Sequence, residues 1–242
     1  MAHGQPDYGM YNIASTIYRL SDMGELAVRL GSIVSFDRRG DVLFMDSFSG
    51  DKVSWGEDTQ GTGASVDWCA ESGQSSPFSV KLTGGSDGNR WADLRKSMDY
   101  PVASRIGFEV SFAIPGSIEE IKMTMAHHDG TIRYLASLTL DQVNQHIEII
   151  SADLPGGVID SYTKYPGSVR QFHTMKLVFD MATNHYSRAL VGNRAYDLSA
   201  YGMTTAASSQ APYIQVIAGA QSRAGVNDYI YIDNAIITQN EP

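Results

Sequence analysis

The sequence predicts an all-β protein, an antiparallel sandwich of two sheets that follows an extended N-terminal arm and one short helix. The chain has 242 residues, and about a dozen of its short segments combine β-branched and aromatic residues between turn residues. The strongest two, Asp41–Phe48 and Asp228–Thr238, are each interrupted by one acid, Asp46 and Asp233. Because strands that open and close a sandwich usually meet, we expect these two segments in one sheet or adjacent at its edge.

Between these two segments, strands are predicted at short intervals, and one of them shows which face is buried. In Arg105–Ile114 every second residue is apolar, while Glu109 and Ser111 occupy the other positions. Alternation of this kind predicts one buried face and one solvated face. The predicted strands are Ser65–Glu71, Phe78–Thr83, Arg90–Arg95, Arg105–Ile114, Ile118–His127, Thr131–Leu140, His146–Ala152, Val158–Lys164, Phe172–Asp180, His185–Val191, Arg194–Asp197 and Tyr213–Ala220.

The N-terminal part has a different character, and we divide the chain into residues 1–40 and residues 41–242. The first part contains the arm, the helix and the start of a hairpin, and the second contains the sandwich. Met23, Leu26 and Leu30 recur at helical spacing within the predicted helix. A helix of about ten residues is marginal by itself, so we expect these three side chains to dock on another surface and to serve in assembly. The alternative is that they close one end of the sandwich itself.

Composition and charge exclude several classes of partner. The formal net charge is −9 and the sequence pI is about 5.0, whereas binding to phosphate backbones relies on clustered Lys and Arg. We therefore expect no direct nucleic-acid partner. The sequence contains no run of about 18 apolar residues, so it gives no sign of a membrane-spanning helix. The first residues lack the pattern of a cleaved signal peptide. We expect synthesis in a cytoplasm without export by such a signal.

Patterns typical of catalysis are weak. A glycosidase sandwich needs paired carboxylates on one strand, but the closest approach, Glu119-Glu120, places adjacent side chains on opposite faces. The motif Glu-x-Asp-x-x-Glu is absent, and we therefore predict that the protein is not an enzyme. His127 and His128 precede Asp129-Gly130, a predicted hairpin tip, so we expect both imidazoles to be solvated.

The two ends of the predicted sandwich resemble a known group of folds. The opening Asp46-Ser-Phe-Ser-Gly50, followed by Trp55, and the closing Tyr231-Ile-Asp-Asn-Ala-Ile-Ile237 resemble the ends of jelly-roll domains of the concanavalin-like and carbohydrate-binding-module type. The resemblance covers roughly residues 41–239. It implies a jelly roll for this part of the chain.

This resemblance also implies two kinds of site. Related modules hold a structural Ca²⁺ with oxygens from the first and last strands, which here implies Asp46, Asp233 and Asn234. The alternative is that Asp46 pairs locally while Asp233 points outward. Related modules also stack sugars on aromatic rings, which implies Trp91 and Trp55 as glycan-binding residues. The alternative is a packing role, because most aromatic residues of sandwiches lie in cores or interfaces.

A second resemblance concerns Gly24–Asp41, which is similar to segments of uncharacterised structural proteins of tailed bacteriophages. It implies a virion protein, located on the capsid or the tail and made in the host cytoplasm. Its partners would be other virion proteins or further copies of itself in a homo-oligomer, joined through the N-terminal arm. The alternative function is a glycan-binding module or adhesin that recognises a cell-surface glycan, and the third is a polysaccharide-degrading enzyme.

Overall fold

The computed structural model describes residues 39–74 and 76–242, and this part of the chain is all-β. Two antiparallel sheets of eight strands each pack face to face as a jelly-roll sandwich. The predicted arm, the helix Asp22–Leu30 and the first strand of the N-terminal hairpin lie outside the described residues. Within those residues no helix is long and apolar enough to cross a membrane.

Within the described residues, sixteen strands build the sandwich. They are β1 (Asp41–Asp46), β2 (Gly56–Thr59), β3 (Ser65–Cys69), β4 (Ser79–Thr83), β5 (Trp91–Asp99), β6 (Arg105–Ala113), β7 (Glu120–His128), β8 (Ile132–Asp141), β9 (His146–Ile149), β10 (Val158–Ser161), β11 (His173–Asp180), β12 (His185–Val191), β13 (Arg194–Asp197), β14 (Thr204–Ala207), β15 (Tyr213–Gln221) and β16 (Tyr229–Gln239). Sequence patterns missed β2 and β14, because each has four residues and neither is apolar enough to stand out.

We name each sheet after a strand near its centre. The β16 sheet has the order β13-β12-β11-β6-β16-β4-β3, and β1 pairs with β16 beside this path. The β15 sheet has the order β10-β9-β8-β7-β15-β5-β2, and β14 pairs with β8. In both sheets the strands at the centre come from distant parts of the sequence, so long-range pairing holds the fold together.

The expected meeting of the two end strands is confirmed. β16 pairs with β6 on one side, and on its other side it pairs first with β4 and then with β1. Asp41 lies opposite Gln239, and Asp46 lies opposite Ala235. A bulge separates the two halves of β16, where Asn234 has a φ of 53°. Asparagine tolerates this left-handed conformation better than most residues do, so the bulge fits the sequence.

One expectation about burial is wrong. The prediction gave the Arg105–Ile114 strand a solvated face, but Glu109 is only 3% exposed and Ser111 is buried as well. The reason is that β6 lies in the middle of the β16 sheet, and its outer face carries further side chains. Lys176 Nζ lies 3.9 Å from Glu109 Oε2 and 2.7 Å from Glu241 Oε1. A charged network therefore replaces solvent on this face.

Candidate functional site

A cleft of about 230 Å³ opens on the outer face of the β15 sheet, the face that points away from the core. The cleft is lined by the indole of a tryptophan and by five polar groups, namely two carboxylates, an ammonium group, an amide and a hydroxyl. Two aliphatic side chains and a glycine complete the lining. Its lining residues are Asp58, Gln60, Trp91, Asp93, Lys122, Thr124, Leu135, Ile217 and Gly219. This mixture of apolar surface and a few convergent polar groups is typical of ligand sites.

Strand alternation directs these side chains outward. In β5, Ala92 and Leu94 are buried in the core, so Trp91 and Asp93 point to the opposite face. The same alternation in β7 buries Ile121 and Met123 and turns Lys122 and Thr124 outward. In β15 it buries Ala218 and turns Ile217 and Gly219 outward. Three strands thus present their polar or small positions to one face.

The pairing register then brings the central residues into one row across the sheet. Gly219 of β15 lies opposite Lys122 of β7 on one side and opposite Asp93 of β5 on the other. Asp93 in turn lies opposite Asp58 of β2. Trp91 belongs to the adjacent row, where it lies opposite Gln221. A glycine therefore separates an ammonium group from a carboxylate in the middle of the cleft.

Gly219 leaves room for the Asp93 carboxylate. A Cβ atom at this position would overlap Oδ1 of Asp93, so the Asp93 carboxylate leans over the glycine and would have to move if Gly219 carried a side chain. The φ of Gly219 is not in the left-handed region, so the glycine contributes space here and not a special backbone conformation. The floor of the cleft is therefore backbone, with the carboxylate directly above it.

Trp91 and Lys122 are in contact at one end of the cleft. The Lys122 Nζ atom lies 5.3 Å from the centroid of the Trp91 ring, within the range of a cation–π interaction. Trp91 is partly exposed, neither buried in the core nor fully open to solvent. Its position is consistent with the predicted glycan-binding role.

Charge is partly balanced around Asp93. Arg95 Nη2 lies 3.1 Å from Asp93 Oδ2 and also contacts Asp58. Burial nevertheless raises the pKa of the Asp93 carboxyl, although the bond and charge of Arg95 oppose this effect. Burial also raises the pKa of Glu120 on β7, and the charge of Asp141 adds to the rise. Two carboxyl groups near the cleft thus hold their protons more tightly than usual.

Trp55, the other tryptophan predicted to bind sugar, belongs to the core. It is 6% exposed and packs against the rings of Phe44 and Phe48, with 5.7 Å between centroids in each case. Its Nε1 donates a hydrogen bond of 2.9 Å to Asp46 Oδ2. Because its ring is enclosed, Trp55 presents no face to a glycan, and the prediction for this residue is corrected.

The acids predicted to hold Ca²⁺ are engaged by N–H groups. Asp46 Oδ2 accepts the bond from Trp55, and its Oδ1 accepts a bond of 2.8 Å from the backbone N of Phe48. These N–H groups point at the same oxygens that a cation would require. Asp46 therefore acts here as a local hydrogen-bond acceptor, which was the alternative interpretation.

Asp233 is also engaged, and it is fully buried instead of pointing into solvent. Its Oδ2 accepts a bond of 2.7 Å from Gln74 N, and its Oδ1 accepts one of 2.7 Å from Asn234 N. The Asn234 side chain donates to Gln74 Oε1 at 2.9 Å. Among residues 39–74 and 76–242 no cluster of three or more His, Cys, Asp or Glu is placed to hold a metal ion. The donor set does not fit the proposed Ca²⁺.

The expectation of solvated histidines is wrong for both residues. His127 and His128 are the last residues of β7 and are 2% and 5% exposed. His127 faces the core, stacked between Tyr134 and Phe179 with centroid distances of 4.6 and 5.6 Å. His128 stacks on Tyr213 at 4.3 Å. The turn begins only at Asp129, because β7 continues through the two imidazoles.

A Gly-x-Ser-x-Gly pentapeptide spans Gly84–Gly88, the pattern that presents a nucleophilic serine between a strand and a helix in α/β-hydrolases. Here the pentapeptide lies in the loop from β4 to β5, so no helix follows it. The Ser86 hydroxyl donates to the carbonyl oxygen of Thr62 at 3.3 Å. This serine therefore supports the loop conformation.

Sequence reasoning found Trp91 but missed Asp58, Asp93, Lys122 and Gly219 as its neighbours. The alternation of β5 was readable in Trp-Ala-Asp-Leu and would have placed Asp93 on the same face as Trp91. Lys122 and Gly219 belong to strands far away in the sequence. Their proximity depends on register, which no local pattern supplies.

No protein-family model and no curated protein sequence matches the chain. Its fold is similar to that of a sialidase, with a TM-score of 0.52 and 11% identity over 83% of this chain and 19% of the sialidase chain. A carbohydrate esterase of the Shiga toxin-encoding bacteriophage phi24B matches with a TM-score of 0.50 and 15% identity over 83% and 99%. A Bacillus subtilis protein of unknown function with a galectin-like fold matches with a TM-score of 0.50 and 10% identity over 84% and 97%.

These similarities establish the shared sandwich fold. They support the jelly-roll resemblance of residues 41–239. The chain spans about a fifth of the length of the sialidase chain, 19%. They give no support to the bacteriophage resemblance of Gly24–Asp41, which lies almost entirely outside the described residues. Two of these three proteins are named as enzymes, but at 11% and 15% identity the similarity concerns the fold alone, and the prediction that the protein is not an enzyme stays a prediction.

Proposed function

We propose that the protein is a glycan-binding sandwich and that the cleft on the outer face of the β15 sheet is its binding site. One observation carries the proposal. A partly exposed indole, Trp91, lines this cleft beside the carboxylates of Asp58 and Asp93 and the ammonium group of Lys122. Of the two tryptophans predicted to bind sugar, Trp91 is the one that lies in a cleft.

The chemistry of the cleft matches that of a sugar ring. A pyranose has an apolar face made of C–H groups and a rim of hydroxyls, so it requires a flat apolar surface together with hydrogen-bonding groups. Trp91 supplies the flat surface, while Asp93 accepts hydrogen bonds and Lys122 donates them. Ile217 adds apolar contact area in the same cleft. Two of the proteins with a similar fold are named as a sialidase and a carbohydrate esterase, and this agrees with the proposal.

Affinity electrophoresis in gels that contain soluble polysaccharides tests the proposal with two matched variants. Trp91→Ala removes the indole from the cleft. Trp68→Ala removes another accessible indole, 36% exposed, which stacks on Phe78 and lies in the β16 sheet. We expect the wild type and Trp68→Ala to be retarded by the same polysaccharide, whereas Trp91→Ala migrates freely. Melting curves of all three proteins show whether each is folded.

Two outcomes would contradict the proposal. One is that a broad panel of neutral, acidic and amino polysaccharides fails to retard the wild type. The other is that folded Trp91→Ala is retarded as strongly as the wild type, which would place the binding surface elsewhere on the chain.

A second candidate function is cleavage of the bound glycan, and the raised pKa values of Asp93 and Glu120 favour it. Glycoside hydrolysis uses one carboxyl group that keeps its proton and one that is ionised, and the raised pKa values make Asp93 and Glu120 each a candidate for the group that keeps its proton. The two groups here stand on β5 and β7 with β15 between them. Release of reducing ends from the bound polysaccharide, lost in Asp93→Asn and in Glu120→Gln, would support this candidate. Binding without any release would restrict the function to recognition.

A further inference from the structure

We infer that the cleft selects an uncharged sugar, which it holds through two neighbouring hydroxyls between Asp93 and Lys122, and that it rejects acidic sugars. This inference rests on the proposed glycan-binding function. It concerns the class of ligand and the two residues that determine it.

The first step is the position of the two side chains. Asp93 and Lys122 flank Gly219 in one row of the β15 sheet. Strand spacing places residues two strands apart at about 9–10 Å, and the missing side chain of Gly219 leaves room into which the Asp93 carboxylate extends toward Lys122. The Asp93 carboxylate already leans over this glycine. A ring that stacks on Trp91, in the adjacent row, therefore presents its edge to both groups.

The second step is the complementarity of the two groups. An ionised carboxylate only accepts hydrogen bonds, and an ammonium group only donates them. A hydroxyl does both, so adjacent hydroxyls can donate to Asp93 and accept from Lys122 at the same time. Hydrogen bonds to charged groups are also stronger than those between neutral groups. The pair therefore fits a vicinal diol.

The third step is that Lys122 has donors to spare. Its ammonium group lies over the Trp91 ring, and within residues 39–74 and 76–242 it forms no ion pair at 4.0 Å or less. By contrast, Asp93 is already held by Arg95. The Asp93 carboxylate is therefore held in a fixed position, whereas the Lys122 ammonium group has N–H groups that can turn toward a ligand.

The fourth step is the charge around the cleft. Asp58 and Asp93 share Arg95, and Glu120 lies two residues from Lys122 on the same face of β7. A uronate or sialate carboxylate would thus enter beside three acids, and like charges at short range weaken binding. An uncharged sugar does not meet this penalty.

The test compares two soluble polysaccharides by isothermal titration calorimetry: a neutral glucan and a polyuronate. We expect the wild type to bind the neutral glucan more tightly than the polyuronate. Asp93→Asn keeps the shape of the side chain and removes its charge, and Lys122→Met keeps the length and removes the donors. Each should weaken binding of the neutral glucan by about tenfold, and Asp93→Asn should strengthen binding of the polyuronate.

Lys96→Met serves as the control, because Lys96 also lies over an aromatic ring, Phe44, at 4.3 Å but away from the cleft. It should leave every affinity unchanged. Two results would overturn the inference alone, provided that binding still depends on Trp91: the wild type binds the polyuronate more tightly than the glucan, or folded Lys122→Met binds the glucan as tightly as the wild type does. Two other results would overturn the proposed function as well: the wild type binds neither polysaccharide, or the Trp91→Ala variant binds as tightly as the wild type.

Discussion

The hydroxyl of Tyr186 lies 2.8 Å from the backbone N of Ser137 and joins the two sheets across the core. Tyr186 belongs to β12 of the β16 sheet, and Ser137 belongs to β8 of the β15 sheet. On this edge of β8, β14 pairs as far as Leu135 and β9 starts at Leu138. The hydroxyl fills the gap, because it accepts from Ser137 N and donates to the carbonyl oxygen of Ile150 at 2.8 Å.

Removal of this hydroxyl should destabilise the sandwich. Tyr186→Phe keeps the ring but leaves the Ser137 N–H buried without its acceptor, and an unsatisfied buried group costs about 1–3 kcal/mol. Urea denaturation measures the change in the free energy of unfolding. Tyr213→Phe is the control, because the Tyr213 hydroxyl donates to Gln210 on the exposed surface. Equal stability of the Tyr186→Phe variant and the wild type would show that water replaces the hydroxyl.

Glu241 should contribute strongly to stability from the end of the chain. Its buried carboxylate lies 2.7 Å from Lys176 Nζ and also contacts Arg188. Lys176 is only 1% exposed, so Glu241→Gln leaves a buried cation with less compensation, at a cost of about 3 kcal/mol or more. Thermal and chemical denaturation would measure this loss.

A double variant distinguishes charge from packing at this position, and it is made in a Glu109→Gln background because Glu109 also faces Lys176. In this background Lys176→Met together with Glu241→Gln removes both charges, and we expect it to be more stable than Glu241→Gln alone. Gln210→Ala, which removes an exposed bond from the Tyr213 hydroxyl, should change stability by less than about 0.5 kcal/mol. If the double variant is less stable than the single one, charge compensation is not the reason for the network.

Acid should destabilise the protein in part through His127. Burial lowers the pKa of its imidazole, although the hydrogen bond to Asn184 opposes this. The unfolded chain therefore takes up a proton more readily than the folded chain. The contribution of His127 is fully present above the unfolded pKa of about 6.5 and is lost as the pH falls toward the lower folded pKa.

Melting temperatures between pH 7.5 and pH 5 would measure this dependence. We expect a decline in the wild type and a shallower decline in His127→Phe, which keeps the ring stack and removes the titrating group. A variant of an exposed histidine, His185→Gln, should decline like the wild type. Since burial also lowers the pKa values of His128 and His173, some decline should persist. Identical slopes in the wild type and His127→Phe would contradict the assignment.

Chelation should leave the melting temperature unchanged. The resemblance to jelly-roll modules implies Ca²⁺ at Asp46, Asp233 and Asn234, but N–H donors engage both carboxylates. EDTA therefore has no cation to remove from this place. A fall in melting temperature with EDTA that added Ca²⁺ reverses would restore the calcium hypothesis and require those hydrogen bonds to rearrange.

The assembly role of Met23, Leu26 and Leu30 stays a sequence-based prediction, because these residues lie outside the described chain. If they mediate assembly, deletion of residues 1–31 should leave a folded protein that no longer forms the oligomer of the full-length chain. Size-exclusion chromatography with light scattering compares the two proteins. If the protein belongs to a virion, the same deletion should also abolish its incorporation into particles. A full-length monomer would remove the basis of both ideas.

The sequence by itself determined the fold class. Alternating apolar positions and short turns are local patterns, and they predicted nearly every strand of the sandwich and the meeting of Asp41–Phe48 with Asp228–Thr238. The resemblance to jelly-roll modules also pointed to Trp91 as a candidate glycan-binding residue. Local patterns failed for Glu109 and for His127, whose burial depends on which side chains cover each face.

The tertiary structure alone decided the composition of the cleft. Asp93, Lys122 and Gly219 are separated by dozens of residues, and a shift of one residue in either pairing of β15 would turn its neighbours to the opposite face. Such a register is set by the packing of the whole core and not by the residues that it brings together. For this reason the sequence could indicate Trp91 as a candidate residue for sugar binding, whereas the charged groups beside it became apparent only in the folded sheet.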